Sequence, residues 1–177
     1  PALSVRREQL RKSLRIVTAG YALAVVWMKC VSGSHVKVFS RMLGFTDFHF
    51  GLMTALPYFA TMAQLLAAVL IERTGLRKYQ FVVCATAHRA TWLAVAAIPL
   101  VLPIPSEWAV ATVLMLICAS SFLSHLASPA WLNWMGDLIP RRIRGRYMAG
   151  RSRIGSAIGI VAILAAGIAL DAATRAG

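Results

Sequence analysis

Acidic side chains are scarce in this sequence: six Asp and Glu stand against 19 Lys and Arg. None of the six lies deep in an apolar run. Glu72 and Asp137 close such runs at one end, while Asp47, Glu107 and Asp171 stand at or beyond their opposite ends. A proton relay through a buried carboxylate therefore has no candidate. Cysteine is also sparse, with Cys30, Cys84 and Cys118 placed one each in three separate apolar runs. Without CxxC or Cys/His spacing, neither a disulfide scaffold nor a zinc site is supported, and the three read as small buried apolar residues. No Ser/His/Asp order, P-loop or metal-ligand cluster is present. The sequence predicts no enzyme, no cofactor and no metal.

What the chain does contain is apolar length. Of its 177 residues 59% are hydrophobic, and mean hydropathy is +0.68, above the roughly 45–50% apolar content of soluble domains. A net charge of +13 and a pI near 11.1 would point to nucleic acid on a soluble domain. Here the basic residues occupy short intervals between apolar runs, so nucleic acid is not expected as a partner and the charge is read against a bilayer.

A hydrocarbon core about 30 Å thick takes roughly 20 helical residues. Five runs approach or exceed that length: 16–36, 51–71, 80–101, 107–135 and 150–170. In hydrocarbon every backbone polar group must be satisfied within its own segment, so the expected fold class is an all-α, polytopic transmembrane bundle. Short intervals make neighbouring helices antiparallel. The stretch "LPIPSEW" supplies two prolines and Ser106 as an N-cap for the fourth helix. Residues 1–15, with Leu3, Leu10 and Leu14 among five basic residues, are expected as a cytoplasmic segment. An amphipathic helix on an anionic leaflet and a disordered tail are both open. No small-residue cleavage site marks a secretory leader, and a start at Pro1 rather than Met fits a fragment.

Lys and Arg collect on the cytoplasmic side of membrane helices. Residues 1–15 carry five, the second interval has Arg73, Arg77 and Lys78, and the fourth has Arg141, Arg142, Arg144, Arg146, Arg151 and Arg153. The alternate intervals hold Lys37 and Arg41, then none, and the tail holds Arg175. The expectation is an integral protein of the plasma (cytoplasmic, inner) membrane, with its N-terminus cytoplasmic and the end of this chain external. Trp131 and Trp134 at one end of the fourth helix and Trp108 at the other suit headgroup level.

The second interval reads "AAVLIERTGLRKYQ": an acid and a base at a helix end, a Gly turn, then two cations. It resembles the signature loop of the major facilitator superfamily, Gly-x-Leu-Ala-Asp-Arg-x-Gly-Arg-Arg/Lys. Leu70, Arg73, Gly75 and Arg77 match; Glu72 replaces the usual Asp, Ala68 the Gly and Leu76 the first basic residue. The fourth interval, "WLNWMGDLIPRRIRGRYMAGR", is similar to the related Asp-x-x-Pro…Arg-Gly-Arg element of many permeases in that superfamily. The resemblance implies that Glu72 and Arg73, with Gly75, Arg77 and Lys78, form a conformational switch. It makes Asp137, with Arg144 or Arg146 and with Pro140 and Gly145 shaping the loop, an equivalent latch. On the residues alone, Gly75 permits a tight turn. Glu72, near a helix C-terminus, suits a facing helix N-terminus or a cation better than its own dipole. The plainer alternative is that these charges orient the helices and fix loop shape.

Charges at membrane depth each cost about 2.5–3.5 kcal/mol on insertion scales. Lys29 and Arg89 fall near the middle of the expected spans. They face a water-filled substrate cavity, or else Lys29 snorkels outward and Arg89 clamps neighbouring carbonyls. Gln64, His88, His125 and Asn133 are further cavity candidates, each also suited to an interhelical hydrogen bond. The fifth helix carries Gly155-x3-Gly159, which permits close backbone contact.

Facilitators have two six-helix halves with the substrate site between them. The resemblance therefore implies a fragment: most of an N-terminal half, whose partners are the lipid bilayer, the missing C-terminal half of the same polypeptide and a small solute. The two deep cations tilt that solute toward an anion. The function expected is secondary or facilitative transport by alternating access. The alternative is a non-transporting membrane sensor or assembly protein whose basic loops bind a partner or anionic lipid.

Overall fold

The computed structural model describes the backbone of residues 2–176 and the side chains of residues 8–10, 12–172 and 175, and within them it is all-helical. The helices are α1 (Ala2–Cys30), α2 (Ser34–Met42), α3 (Asp47–Ala60), α4 (Ala63–Thr74), α5 (Arg77–Val101), α6 (Glu107–Leu138) and α7 (Arg141–Ala176). Among the described residues five stretches are long and apolar enough to cross a membrane: Glu8–Cys30, Asp47–Thr74, Arg77–Val101, Glu107–Leu138 and Arg141–Ala172. That is consistent with an integral membrane protein.

The boundaries differ from the sequence expectation where local chemistry outweighs hydropathy. The run 16–36 does not stay helical: α1 stops at Cys30, and Gly33 takes φ +135°, a conformation open mainly to glycine. Ser32 donates to the Met28 carbonyl at 2.5 Å and His35 Nε2 lies 2.7 Å from the Cys30 carbonyl, so side chains close the carbonyl end of α1. Helix is continuous from Ala2 through residue 15 into the first span. The side chains of Leu3, Arg6, Arg7 and Arg11 lie outside the described residues.

The run 51–71 divides into α3 and α4 at Thr61–Met62. Pro57 withdraws one amide from the ladder. Beyond it the Thr61 and Met62 amides bond three residues back, to Tyr58 and Phe59, and the Thr61 hydroxyl also donates to Tyr58. Tightening of this kind, with a hydroxyl competing for the carbonyl, bends helices. Ser106 accepts from the Ala109 amide at 3.1 Å and starts α6 as an N-cap. The last helix starts at Arg141, nine residues ahead of expectation, because arginine is a good helix former wherever water can reach it. The arginines assigned to a loop are thus helical.

The chain comprises two units. Unit 2, Val38–Pro140, packs α5 against α6 in antiparallel fashion: Phe81 meets Trp134 and His88 meets Ser120. The α3–α4 span runs parallel to α6. Gly44, at the start of that span, packs on Pro105 and Val110, whereas Gln80 ties Ala67 to Leu126 further along. Leu43, Phe45, Val95, Ile98, Val110 and Val113 form the core at one end of this unit. Unit 1, Pro1–Lys37 with Arg141–Gly177, is a parallel α1–α7 pair whose contacts advance together. Thr18 meets Tyr147, Tyr21 meets Arg151 and Gly155, and Val25 and Lys29 meet Gly159.

Candidate functional site

The second interval meets the end of α6, where the fourth interval begins, within unit 2. Gly75 caps α4 in the left-handed conformation, φ +65°, and its amide bonds the Ile71 carbonyl at 2.9 Å. The bend it makes sets Arg77 at the first position of α5, where its guanidinium forms an ion pair with Asp137 near the end of α6. The bend and the end of α6 therefore share one end of unit 2, opposite the Gly44–Pro105 contact. The sequence reading placed Asp137 in a latch of its own interval; its observed partner is Arg77, from the other signature interval. The pair is solvent-exposed, with side chains 42% and 64% accessible, so its worth to stability is within about 1 kcal/mol. Its information lies in what it joins. Glu72, Arg73, Lys78 and Pro140 are exposed. Arg144, half-buried, and Gly145 and Arg146, exposed, belong to the first turns of α7 in unit 1.

Each candidate cavity residue has its own local setting. Lys29 is in the last turn of α1, not at the middle of a span, because α1 ends at Cys30. There it lines a cavity of about 620 Å³ with Ser34, His35 and α7 residues that include Ile163, Gly167 and Asp171. A cation at a helix C-terminus is favoured by the dipole. Arg89 donates to the Ala85 carbonyl of its own helix at 2.8 Å, the clamp considered from sequence. His88 Nδ1 lies 2.9 Å from the Ser120 carbonyl and 2.6 Å from its hydroxyl, an interhelical link. His125 bonds Ser121 in its own helix at 2.8 Å. Gln64 and Asn133 are exposed.

Sequence reasoning missed several polar groups that organise the two units. Gln80 reaches the Leu126 carbonyl at 3.2 Å and the Ala67 carbonyl at 3.5 Å, bridging α5 to α6 and α4. In unit 1 the Thr18 hydroxyl donates to Leu14 at 2.8 Å and lies 3.0 Å from the Tyr147 hydroxyl, while Arg151 stacks 3.7 Å from the centroid of the Tyr21 ring. The available signal was phase: Tyr147, Arg151, Gly155 and Gly159 recur every four residues on one helix face. Among the described residues no group of three or more His, Cys, Asp or Glu could hold a metal ion.

No family model, curated protein or solved structure matches the chain.

Proposed function

We propose that the chain is the N-terminal part of a facilitator-type transporter that moves a small solute across the plasma membrane by alternating access, without enzymatic chemistry. The observation that carries this reading is the Arg77–Asp137 pair, which links the two intervals that resemble facilitator signature loops at one end of unit 2. Parallel second and fourth spans, with an antiparallel third between them in sequence, support the same reading, since an up-and-down membrane bundle requires that alternation. The basic end of unit 2 is the cytoplasmic one on the charge rule. In this mechanism the Gly75 bend and Asp137 are coupled through one ion pair, so both move together when the bundle rocks. Glu72, exposed in the last turn of α4, is the group left to engage the second half of the transporter.

The test is solute uptake by the complete polypeptide in sealed proteoliposomes, with labelled lactate, phosphate and glucose as probes. Saturable uptake of one probe is expected. Arg77→Asp and Asp137→Arg should each slow it at least tenfold, and the double swap should restore most of it. Uptake no faster than in protein-free vesicles for every probe refutes transport of these solute classes. Unaltered uptake in both single variants removes the coupling role.

A further inference from the structure

At the basic end of unit 2 a cavity of about 610 Å³ opens between the start of α5 and the end of α6. Its rim holds Arg77 and Lys78, and its one acid, Asp137, is engaged by Arg77. The lining therefore carries one positive charge in excess, on Lys78. The amino end of a 25-residue helix adds partial positive charge at the same place. The remaining wall is apolar and aromatic: Tyr79, Val82 and Trp134, the last held by a tilted contact with Phe81 at 6.0 Å between centroids.

Depth decides what this combination fits. Arg77 is the first residue of a candidate membrane span, so the cavity lies where acyl chains give way to headgroups. A soluble phosphate would use the cationic rim and leave the aromatic wall in water. A molecule with an anionic phosphodiester and acyl chains uses both. We propose that this cavity binds an anionic phospholipid, its phosphodiester against Lys78 and an acyl chain along Tyr79, Val82 and Trp134. The proposal rests on the membrane-spanning reading and not on transport.

The experiment uses the chain reconstituted in phosphatidylcholine bilayers, with brominated phosphatidylglycerol or brominated phosphatidylcholine as quencher. The Trp134→Phe variant isolates the fluorescence of the groove. Phosphatidylglycerol should half-quench the Trp134 signal at about a fivefold lower mole fraction than phosphatidylcholine, the worth of one interfacial cation. Lys78→Gln, at an exposed position, should abolish that preference, and Arg142→Gln, not one of the lining residues, should retain it. Equal quenching by the two lipids, equal loss in Arg142→Gln, or displacement by soluble glycerol phosphate overturns the proposal. Retention after alkaline carbonate washing separates the two readings. A chain washed out overturns the membrane reading and the lipid site together; a chain retained without lipid preference overturns the lipid site alone.

Discussion

Substitution of Gly155 by alanine probes a close α1–α7 approach in unit 1. A Cβ built on Gly155 would lie 2.5 Å from the Tyr21 hydroxyl, 2.7 Å from ring atom Cε1 and 2.9 Å from Cζ. Tyr21 has little freedom to yield, because Arg151 stacks 3.7 Å from its ring centroid on the same face of α7. Overpacking of this kind costs about 1–3 kcal/mol, and turning the ring aside gives up a cation–π contact worth about 0.5–2 kcal/mol. Against this, alanine gains up to about 1 kcal/mol of intrinsic helix preference over glycine in water. Gly150 removes that ambiguity: it is in the same helix, and nothing lies within 4 Å of a Cβ built there. The Gly155→Ala variant should be less stable than Gly150→Ala by about 1–3 kcal/mol. Equilibrium unfolding in mixed detergent micelles, followed by circular dichroism, gives that difference. The double-mutant cycle with Tyr21→Ala should return it to within about 0.5 kcal/mol of zero. Equal stability of the two alanine variants, or a penalty that persists without the Tyr21 ring, refutes the packing argument.

Two further outcomes are expected. Ser120, 3% exposed and linked to His88, should cost about 0.6–1.7 kcal/mol when changed to Ala, the range for hydrogen bonds between membrane helices; a neutral Ser120→Ala in the same unfolding assay would show that the link carries no stability. With native cysteines replaced, Thr74→Cys and Arg142→Cys should react with a membrane-impermeant maleimide only after the cells are opened, and Pro103→Cys in intact cells. Labelling of both Thr74→Cys and Pro103→Cys from outside would remove the membrane topology.

The membrane-length apolar stretches were legible because hydropathy and length decide them with little help from tertiary structure. Their ends were not. Helix α1 ends at Cys30 through Ser32, Gly33 and His35, a local closure of carbonyls inside an apolar run that hydropathy averages over. The α3–α4 break needs Pro57 and the Thr61 hydroxyl together, and either alone is tolerated in a membrane helix. The Gly75 turn was readable, since a short bend between two helices demands a left-handed residue. The partner of Asp137 was not, because Arg77 is 60 positions away in sequence and only the antiparallel α5–α6 packing brings it near. The cavity residues were chosen for polarity within spans, which says nothing about phase. His88, Arg89 and His125 each found a carbonyl, the commonest outcome where an unsatisfied donor is expensive.

The six arginines from Arg141 to Arg153 show what phase adds to charge counting. A topology rule treats them alike, and Arg141, Arg142, Arg146 and Arg153 are indeed exposed. Arg144 and Arg151 are half-buried, seven residues apart, and fall on the stripe of Tyr147, Gly155 and Gly159 that meets α1. At 100° per residue Arg153 is turned about 200° from Arg151 and cannot share that face. Insertion scales assign an arginine about 2.5–3.5 kcal/mol at the membrane centre, whereas a partly desolvated cation–π contact returns up to about 2 kcal/mol. The Tyr21 ring therefore offsets much, but not all, of the cost of drawing Arg151 into the helix pair. Near the headgroups, where the insertion cost falls, the balance favours the buried position. Two residues later Arg153, on the other side of α7, is exposed.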